Sequence, residues 1–466
     1  MSAVRDEGEP VVVVAASEPT PRAKLEAFLG WLGGARPADR PGAGLRLTGL
    51  KAGGAVIAAR LAETDEAPLW WDARWQGVDF ADVDMAGAHL SGADLSHANL
   101  KRAVMTDANG RLARLDDALI EEADFSDGDF GGASFRDAVA GQAIFRRAML
   151  EDARFGGASM RFAELQEALL DGADFEGADG WGASFAGADA DRTSFRKARL
   201  DEADLSDANL TFSDFSGASL KRTRLAKSRL RGAVFANATL SGTDLTGADL
   251  SDTKLVRLDL STCQLRHIRL AGAWIEGCRI RVEQLGGAVG EEVAGDYEGA
   301  KASYTALEAN FASIGAKAEA GWAYKRGRKM GCLGAGAKAR AAFRQRAWKT
   351  VFVSGYHWAA DRFVEWLCDY GESMSRIVRA FVMLILVFAA LYGISGGLVP
   401  EGAPRATRNV VDLLSYSALN MMTSNPPEIG LSVVGRFANI LVGLQGAIGI
   451  ILMGLFGYIL GNRIRR

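Results

Sequence analysis

The residues with the clearest chemical potential form one short segment near the carboxyl end of the chain. In order, they are Thr423, Ser424, Asn425, Pro426, Pro427 and Glu428. Hydroxyl, amide and carboxylate oxygens can take the place of water around a cation, and rings of acidic side chains favour cations. We therefore predict that these residues line a path for inorganic cations, with Glu428 near its outer mouth. Two alternatives stay open: Glu428 only braces the loop, or the whole segment is a structural plug without conduction.

Two long uncharged stretches flank this segment, residues 380–400 and 437–462. Each exceeds the ~20 residues that a helix needs to cross ~30 Å of hydrocarbon, so both are predicted to span a membrane. Residues 413–427 between them are also uncharged but too few for a second crossing. Backbone at membrane depth must be buried in protein or line a water-filled path. This predicts a short re-entrant helix over about 411–422, followed by an extended strip over 423–429.

Basic residues around the two stretches predict their orientation in the membrane. Arg376 and Arg379 precede the first stretch, Arg463 follows the second, and residues 325–349 are rich in Lys and Arg. Cytoplasmic flanks carry the excess of Lys and Arg, and the amino terminus shows no cleavable signal peptide. Both termini of this multi-pass chain are therefore expected in the cytoplasm.

Glycines recur along the second uncharged stretch, at positions 443, 446, 449, 454 and 457. Small residues allow helices to approach closely, and this is the role expected for most of them. Gly449 and Gly454 are also candidates for a gating hinge.

Residues 377–466 resemble the two-transmembrane, potassium-channel-like pore family. Residues 419–423 stand where the family has a pore helix that ends in Thr, and residues 423–429 align without gaps with its T-V-G-Y-G-D-I. The ending LFGYILGNRIRR is similar to the family's inner helix. The resemblance implies a homotetramer in a bacterial inner membrane, because one hairpin cannot enclose a pore and closed cyclic symmetry is needed.

Three departures of the filter segment from the family pattern affect the backbone most. Asn425 and Pro427 replace the two filter glycines, and Pro426 replaces the aromatic residue. Potassium filters stack backbone carbonyls around a dehydrated ion, whereas proline fixes φ near −65°. We therefore expect a wider or differently lined entrance in which ions keep part of their water.

The middle of the chain repeats with a period of five. An apolar residue recurs at almost every fifth position from 80 to 280, and a small residue, usually Ala, comes two positions earlier. Helices and strands have other periods, whereas a solenoid with one repeat per side fits. Residues 75–285 resemble the pentapeptide-repeat family, with its A(D/N)LXX pattern. This implies a right-handed, four-sided β-helix of four pentapeptides per coil, with glycine relieving the corners.

Four repeats per coil would stack residues that are twenty positions apart. One inner face would then carry a ladder of phenylalanines, Phe135, Phe155, Phe175, Phe195, Phe215 and Phe235. Cys263 and Cys278 fall on the small inward position, so they are predicted to be buried thiols and not a redox pair.

Charge along the repeats argues against nucleic acid as a partner. Residues 81–280 hold 32 acidic and 24 basic residues, a net charge of −8, with basic strips at 192–199 and 221–231. Some members of the family mimic DNA, but a mimic needs dense and unbroken negative charge to replace phosphates. The strips are expected to be solvated, or to face a membrane or a partner.

The remaining regions complete a mixed fold. Residues 1–21 are predicted to be a disordered tail, 22–74 an N-terminal cap, 75–285 the solenoid, 286–376 a cytoplasmic helical linker, and 377–466 a two-helix transmembrane pore domain with a re-entrant loop.

Within the linker, the sequence predicts a helical hairpin broken near Gly315 and a helix over 337–350 that follows a break at 334–336. An amphipathic helix over 361–370 is expected at the membrane surface.

No enzyme is predicted from this sequence. The four histidines are scattered, and no nucleophile, phosphate-binding or metal-ligand motif is present. We predict no catalytic residue, cofactor or metal site. The leading hypothesis is a cation-conducting tetrameric channel whose solenoid is a cytoplasmic sensor or regulatory domain, with lipid, cations and its own copies as partners and with a regulator that the sequence does not identify. The alternative is a membrane-anchored interaction scaffold without conduction.

Overall fold

The computed structural model describes residues 76–77, 79–371, 373–423 and 430–464. The predicted tail at 1–21 and cap at 22–74 lie outside the described residues. The chain divides into two compact units, Met1–Ala320 and Gly321–Arg466, each with its own architecture.

The described part of the first unit consists mainly of coils of twenty residues. Parallel bridges join residues twenty apart, from Asp79 with Asn99 to Asp259 with Arg279. In one place the pairing covers consecutive residues and forms short strands: β1 (Lys254–Val256) pairs in parallel with β2 (Trp274–Glu276). These bridges confirm the prediction of a β-helix with four pentapeptides per coil.

Each side of a coil ends in a tight turn. The N–H of Ala88 donates to the carbonyl of Met85, 3.0 Å away, and the residue before Ala88 is Gly87 with φ +68°. A positive φ at this place is the mark of a type II turn.

The expectation that glycine relieves the corners is correct for only part of the turns. Non-glycine residues such as Asp82 (φ 62°) and Phe212 (φ 56°) outnumber glycines at the positive-φ position. The neighbouring coil fixes the turn: the N–H of Asp82 donates to the carbonyl of Lys101 at 2.9 Å. Surrounding structure of this kind holds residues in a backbone conformation that they rarely adopt.

The core of the solenoid contains the predicted phenylalanine ladder. From Phe135 to Phe235, successive rings are 4.7–5.2 Å apart and within 10° of parallel. Where Gly110 lacks a side chain, Phe130 of the next coil fills the space, since a Cβ on Gly110 would lie 2.2 Å from Phe130 Cε1. The core is therefore closely packed even where the apolar pattern is interrupted.

Several small inward positions carry a hydroxyl or thiol group in place of Ala. Thr193 Oγ1 donates to the carbonyl of Leu170 at 2.8 Å, and Cys263 Sγ donates to that of Leu240 at 2.8 Å. Both bonds reach back 23 residues, to the preceding coil. Cys263 and Cys278 are buried free thiols, as predicted, and burial raises the pKa of Cys263 to about 11.

The carboxyl end of the solenoid is closed by helices. After a 3-10 turn (Val282–Leu285), α1 (Gly290–Ala294) and α2 (Tyr297–Ser313) follow. Glu291, 4% exposed, accepts hydrogen bonds from the backbone N–H groups of Leu270 and Ala271 at 2.7 and 2.8 Å. Asn310 bonds both the N–H and the carbonyl of Cys278. An open sheet edge invites pairing with other chains, and these side chains occupy it.

The basic strips of the solenoid are interleaved with acidic residues of neighbouring coils. Arg192 pairs with Asp171 at 2.8 Å, and Lys197 pairs with Glu176 at 2.8 Å. These pairs are exposed, so each contributes little to stability, but they reduce the positive charge that the strips present.

The second unit is helical. Its first helix, α3 (Lys317–Arg344), begins shortly before the boundary between the units at Gly321. The other elements are α4 (Trp348–Cys368), a 3-10 turn (Asp369–Gly371), α5 (Met374–Ser395), β3 (Leu398–Pro400), α6 (Val410–Thr423), β4 (Leu431–Val433) and α7 (Arg436–Ile464). Strands β3 and β4 pair antiparallel. Helices α5 and α7 are long and apolar enough to cross a membrane, by their length and composition.

The predicted helix breaks were partly correct. The break near Gly315 is confirmed, because that residue has φ +76° between α2 and α3. The break at 334–336 is wrong, since α3 continues through it. A Cβ on Gly336 would lie 2.9 Å from Trp358 Cδ1, so glycine serves there for close packing of α3 against α4. The chain turns instead at Arg346, with φ 55°.

Candidate functional site

Helix α6 is the element that precedes the predicted cation path. It spans Val410–Thr423, close to the predicted 411–422, and packs against both α5 and α7. Its apolar contacts include Leu413 and Tyr416, which lie with Phe388 and Tyr392 of α5 in one buried cluster. The helix is thus held between the two long apolar helices.

A buried polar network centred on Gln445 of α7 fixes this arrangement. Gln445 Nε2 donates to the carbonyl and to Oγ of Ser417 on α6, at 3.0 and 2.6 Å. Gln445 Oε1 accepts from Tyr392 OH of α5 at 2.8 Å and from Asn420 Nδ2 of α6 at 3.1 Å. All four side chains are fully buried. One amide therefore joins three helices.

Two further bonds connect the network to backbone carbonyls. Asn420 Nδ2 also lies 3.1 Å from the carbonyl of Val442, and Ser417 Oγ donates to the carbonyl of Ile385 at 2.9 Å. Among the described residues, Asn420 Oδ1 and Tyr416 OH have no hydrogen-bond partner. An unpaired buried polar atom costs about 1–3 kcal/mol, so Asn420 Oδ1 is a weak point of the network, and Tyr416 OH is a further unpaired atom on the same helix.

Sequence reasoning missed this network. Its signal was available, because Gln445 is a strongly polar residue within the apolar run FANILVGLQGAIGI. Polar residues inside such runs are costly and face protein or water. The partners are 25–53 positions away in sequence, so only the tertiary structure identifies them.

Of the six residues predicted to line the cation path, the structure describes only the first, Thr423. Thr423 is the last residue of α6, and its hydroxyl donates to the carbonyl of Leu419 at 2.7 Å. Ser424, Asn425, Pro426, Pro427 and Glu428 lie outside the described residues. The carboxyl end of a helix carries a partial negative charge. The end of α6 at Thr423 therefore favours cations at the start of the predicted cation path.

The two hinge candidates have different surroundings. A Cβ on Gly449 would lie 2.1 Å from the carbonyl oxygen of Met421, so glycine is needed for α7 to approach the end of α6. Apart from the backbone of α7 itself, no described atom lies within 4 Å of a Cβ on Gly454. Gly449 is therefore a packing residue in this conformation, whereas Gly454 has space around it.

Comparison with known proteins identifies the solenoid. The family model described as Pentapeptide repeats (8 copies) matches overlapping segments from residue 71 to residue 281. The chain contains a pentapeptide-repeat domain. No curated protein is significantly similar to the chain.

Several solved structures are similar to part of the chain. HetL, a pentapeptide repeat protein involved in heterocyst differentiation regulation from the cyanobacterium Nostoc, is 27% identical over 42% of this chain and 89% of its own, with a TM-score of 0.22. QnrB1, a plasmid-mediated fluoroquinolone resistance protein, is 22% identical over 44% of this chain and 95% of its own, with a TM-score of 0.25. A pentapeptide repeat protein from the Arabidopsis thaliana thylakoid lumen is 30% identical over 25% and 68%, with a TM-score of 0.17.

Proposed function

We propose that the protein is a homotetrameric cation channel of a bacterial inner membrane, with the pentapeptide-repeat solenoid as its cytoplasmic sensor or regulatory domain. The observation that carries the proposal is the short helix α6, which Gln445 holds between two apolar helices and which ends where the polar segment 423–428 begins. A hairpin that only anchored the chain would need no third helix between its arms.

Cation conduction is the chemistry that this arrangement supports. The carboxyl end of α6 supplies partial negative charge, and the oxygen-bearing residues Thr423, Ser424 and Asn425 follow it in sequence. Glu428 would add an acidic ring in an assembly of several copies. Because Pro426 and Pro427 cannot adopt the backbone of a potassium filter, the proposed path keeps ions partly hydrated.

Assembly from several copies follows from the need to enclose a path. Exposed apolar residues lie along α7, among them Ile440, Ile450 and Ile451, each more than 60% exposed. In a membrane, these residues would contact lipid or another copy. Closed cyclic symmetry is the usual solution for such assemblies, and the family resemblance implies four copies.

A membrane surface next to α5 is supported by helix α4. Phe352, Tyr356 and Phe363 follow one another at helical spacing, and they are 76%, 72% and 58% exposed. Helices that lie in the headgroup region expose aromatic residues in this way. The basic residues over 325–349 would then face the cytoplasmic leaflet.

Two measurements on the purified full-length protein test the proposal. Native mass spectrometry in detergent is expected to give four chains, and liposomes that contain the protein should release a trapped cation faster than empty ones. A monomeric mass together with no cation flux would refute it.

A membrane-anchored scaffold remains the second candidate, because the solenoid exposes large apolar residues. Phe162 and Phe212 are 50% and 59% exposed at positive-φ corners. Such residues could dock a protein partner. Under this alternative, wild-type protein would bind a partner through these corners and would conduct no ions in any membrane.

A further inference from the structure

A small cavity lies where α3, α4 and the 3-10 turn before α5 meet. Its volume is about 270 Å³, and Trp322, Lys325, Arg326 and Lys329 line one wall. Lys325 and Arg326 are three and four residues after Trp322, and Lys329 is four and three residues after them, so the four positions share one face of α3. The opposite wall includes Asp369 and Tyr370.

The charges of this cavity favour an anion. Three basic residues of α3 line it, against the two carboxylates Glu365 and Asp369. Cations outside the wall share both carboxylates: Asp369 lies 3.4 Å from Arg376 Nη1 as well as 3.7 Å from Lys325 Nζ of the wall, and Glu365 lies 2.9 Å from Arg362 Nη1. The wall therefore presents more positive than negative charge.

Tyr370 supplies a buried donor without a partner. The residue is 9% exposed, and no described group bonds its hydroxyl. Burial raises the pKa of Tyr370, so the hydroxyl keeps its proton and can donate. The guanidinium of Arg328 stands 5.5 Å above the ring and pairs with Asp361 at 2.5 Å, which fixes the ring in place.

The backbone next to this donor is strained. Tyr370 has φ 58°, and Asp369 before it has φ 52°. A bulky residue in the left-handed region is uncommon and persists where neighbouring contacts hold it. Asp369 is held from two sides, by Lys325 at 3.7 Å and by Arg376 of α5 at 3.4 Å.

We propose that this cavity binds a phosphate-bearing anion, with Lys325, Arg326 and Lys329 meeting its charge and the Tyr370 hydroxyl donating to one of its oxygens. The volume is below the ~300–1,000 Å³ of pockets that enclose drug-sized ligands, so it fits a phosphate and the small group attached to it. A lipid headgroup and a free phosphate compound share this chemistry. The site adjoins the first turn of α5, because Asp369 of its wall pairs with Arg376.

Binding assays on the full-length protein in detergent and in liposomes test this site without any measurement of current. One arm uses inorganic pyrophosphate, and the other uses phosphatidylcholine vesicles with and without phosphatidic acid. The variants are Lys329→Gln and Tyr370→Phe. Lys301→Gln is the matched control, because Lys301 is exposed on α2, outside the cavity and outside the basic stretch over 325–349.

We expect saturable binding that Lys329→Gln weakens about tenfold or more, since a charge-assisted bond is lost. Tyr370→Phe should weaken it several-fold, and Lys301→Gln should leave it unchanged. Saturable pyrophosphate binding would identify a free phosphate compound as the ligand, and binding only to phosphatidic acid vesicles would identify a headgroup. Absence of binding in both arms, or equal affinity in both cavity variants and wild type, would overturn the proposal and leave the proposed function untouched.

Discussion

The two units of this protein satisfy buried polar groups in opposite ways. In the solenoid, Thr193 and Cys263 each bond a carbonyl 23 residues earlier, so one local rule of the repeat is applied again and again. In the helical unit, Gln445 collects partners from two other helices, and Asn420 Oδ1 and Tyr416 OH have no partner among the described residues.

The two units also differ in how far the effect of a single substitution extends through the structure. Each coil of a solenoid contacts mainly its neighbours, so stability is approximately a sum over repeats. A network that depends on one amide fails as a whole when the amide is removed. We therefore expect damage to the solenoid to be large in energy but local, and damage to the network to be smaller in energy but decisive for the proposed function.

The largest expected effect on stability is in the phenylalanine ladder. Phe175→Ala removes a ring that stacks on Phe155 and Phe195 at 4.8 and 5.2 Å. It should cost about 3–5 kcal/mol, measured from the urea-induced loss of the β signal in circular dichroism of the full chain. Helical content in detergent should be unchanged. Phe212→Ala is the exposed control, and an equal loss in both variants would contradict the account.

The next effect concerns the amide that joins the three helices. Gln445→Leu leaves Tyr392 OH and Ser417 Oγ without this partner, and individual hydrogen bonds between membrane helices contribute about 0.6–2 kcal/mol. We expect a loss of about 2–3 kcal/mol in detergent unfolding of the helical unit. Cation flux into liposomes should be abolished. If flux persists at the wild-type rate, the network does not hold α6 in a conducting position.

A pair of glycine substitutions tests the contact between α6 and α7. Gly449→Ala places a methyl group against the carbonyl of Met421, which should cost about 1–3 kcal/mol as overpacking. Apart from the backbone of α7 itself, Gly454→Ala meets no described atom within 4 Å and should be neutral or slightly stabilising, because alanine favours helices. Thermal unfolding of both variants in the same detergent compares them directly. Equal effects would show that the close approach at Gly449 is not specific.

The smallest effect belongs to the exposed ion pairs of the solenoid. Bonding to Arg147 holds the pKa of Asp127 below its ordinary value. A lowered folded pKa adds stability above the unfolded value of ~3.9, and this is lost as pH falls through the folded pKa. Arg147→Gln should therefore be slightly less stable than wild type at pH 7 and equal to it at the lowest pH. A difference that grows on acidification would contradict this sign.

The regularity of the solenoid explains why its structure could be predicted from sequence. A period of five with no insertion fixes the phase of the repeats, and the family resemblance implies four repeats per coil. Together they predict the coil of twenty, the inward positions of Cys263 and Cys278, and the phenylalanine ladder. The closure of the carboxyl end of the solenoid by α1 and α2 was not predicted, because Glu291 and Asn310 act through backbone groups of the last coils and not through a repeating pattern.

The helical unit was predictable only in its outline. Uncharged stretches located α5 and α7, and the short run between them located α6 to within about one residue. The break at 334–336 was placed wrongly because glycine was taken as a helix terminator, whereas Gly336 accommodates Trp358. The Gln445 network joins residues that are distant in sequence, and no local pattern shows which partners an isolated amide will have.

Single-channel recording in a planar bilayer tests the central proposal most directly. Purified full-length protein is expected to give unitary currents whose reversal potential follows the cation gradient, and Glu428→Gln is expected to reduce the preference for cations. The Gln445→Leu protein, recorded under the same conditions, should give no unitary current. If wild-type protein of confirmed tetrameric mass gives no unitary current, the helical unit is not a cation path and the proposed function is wrong.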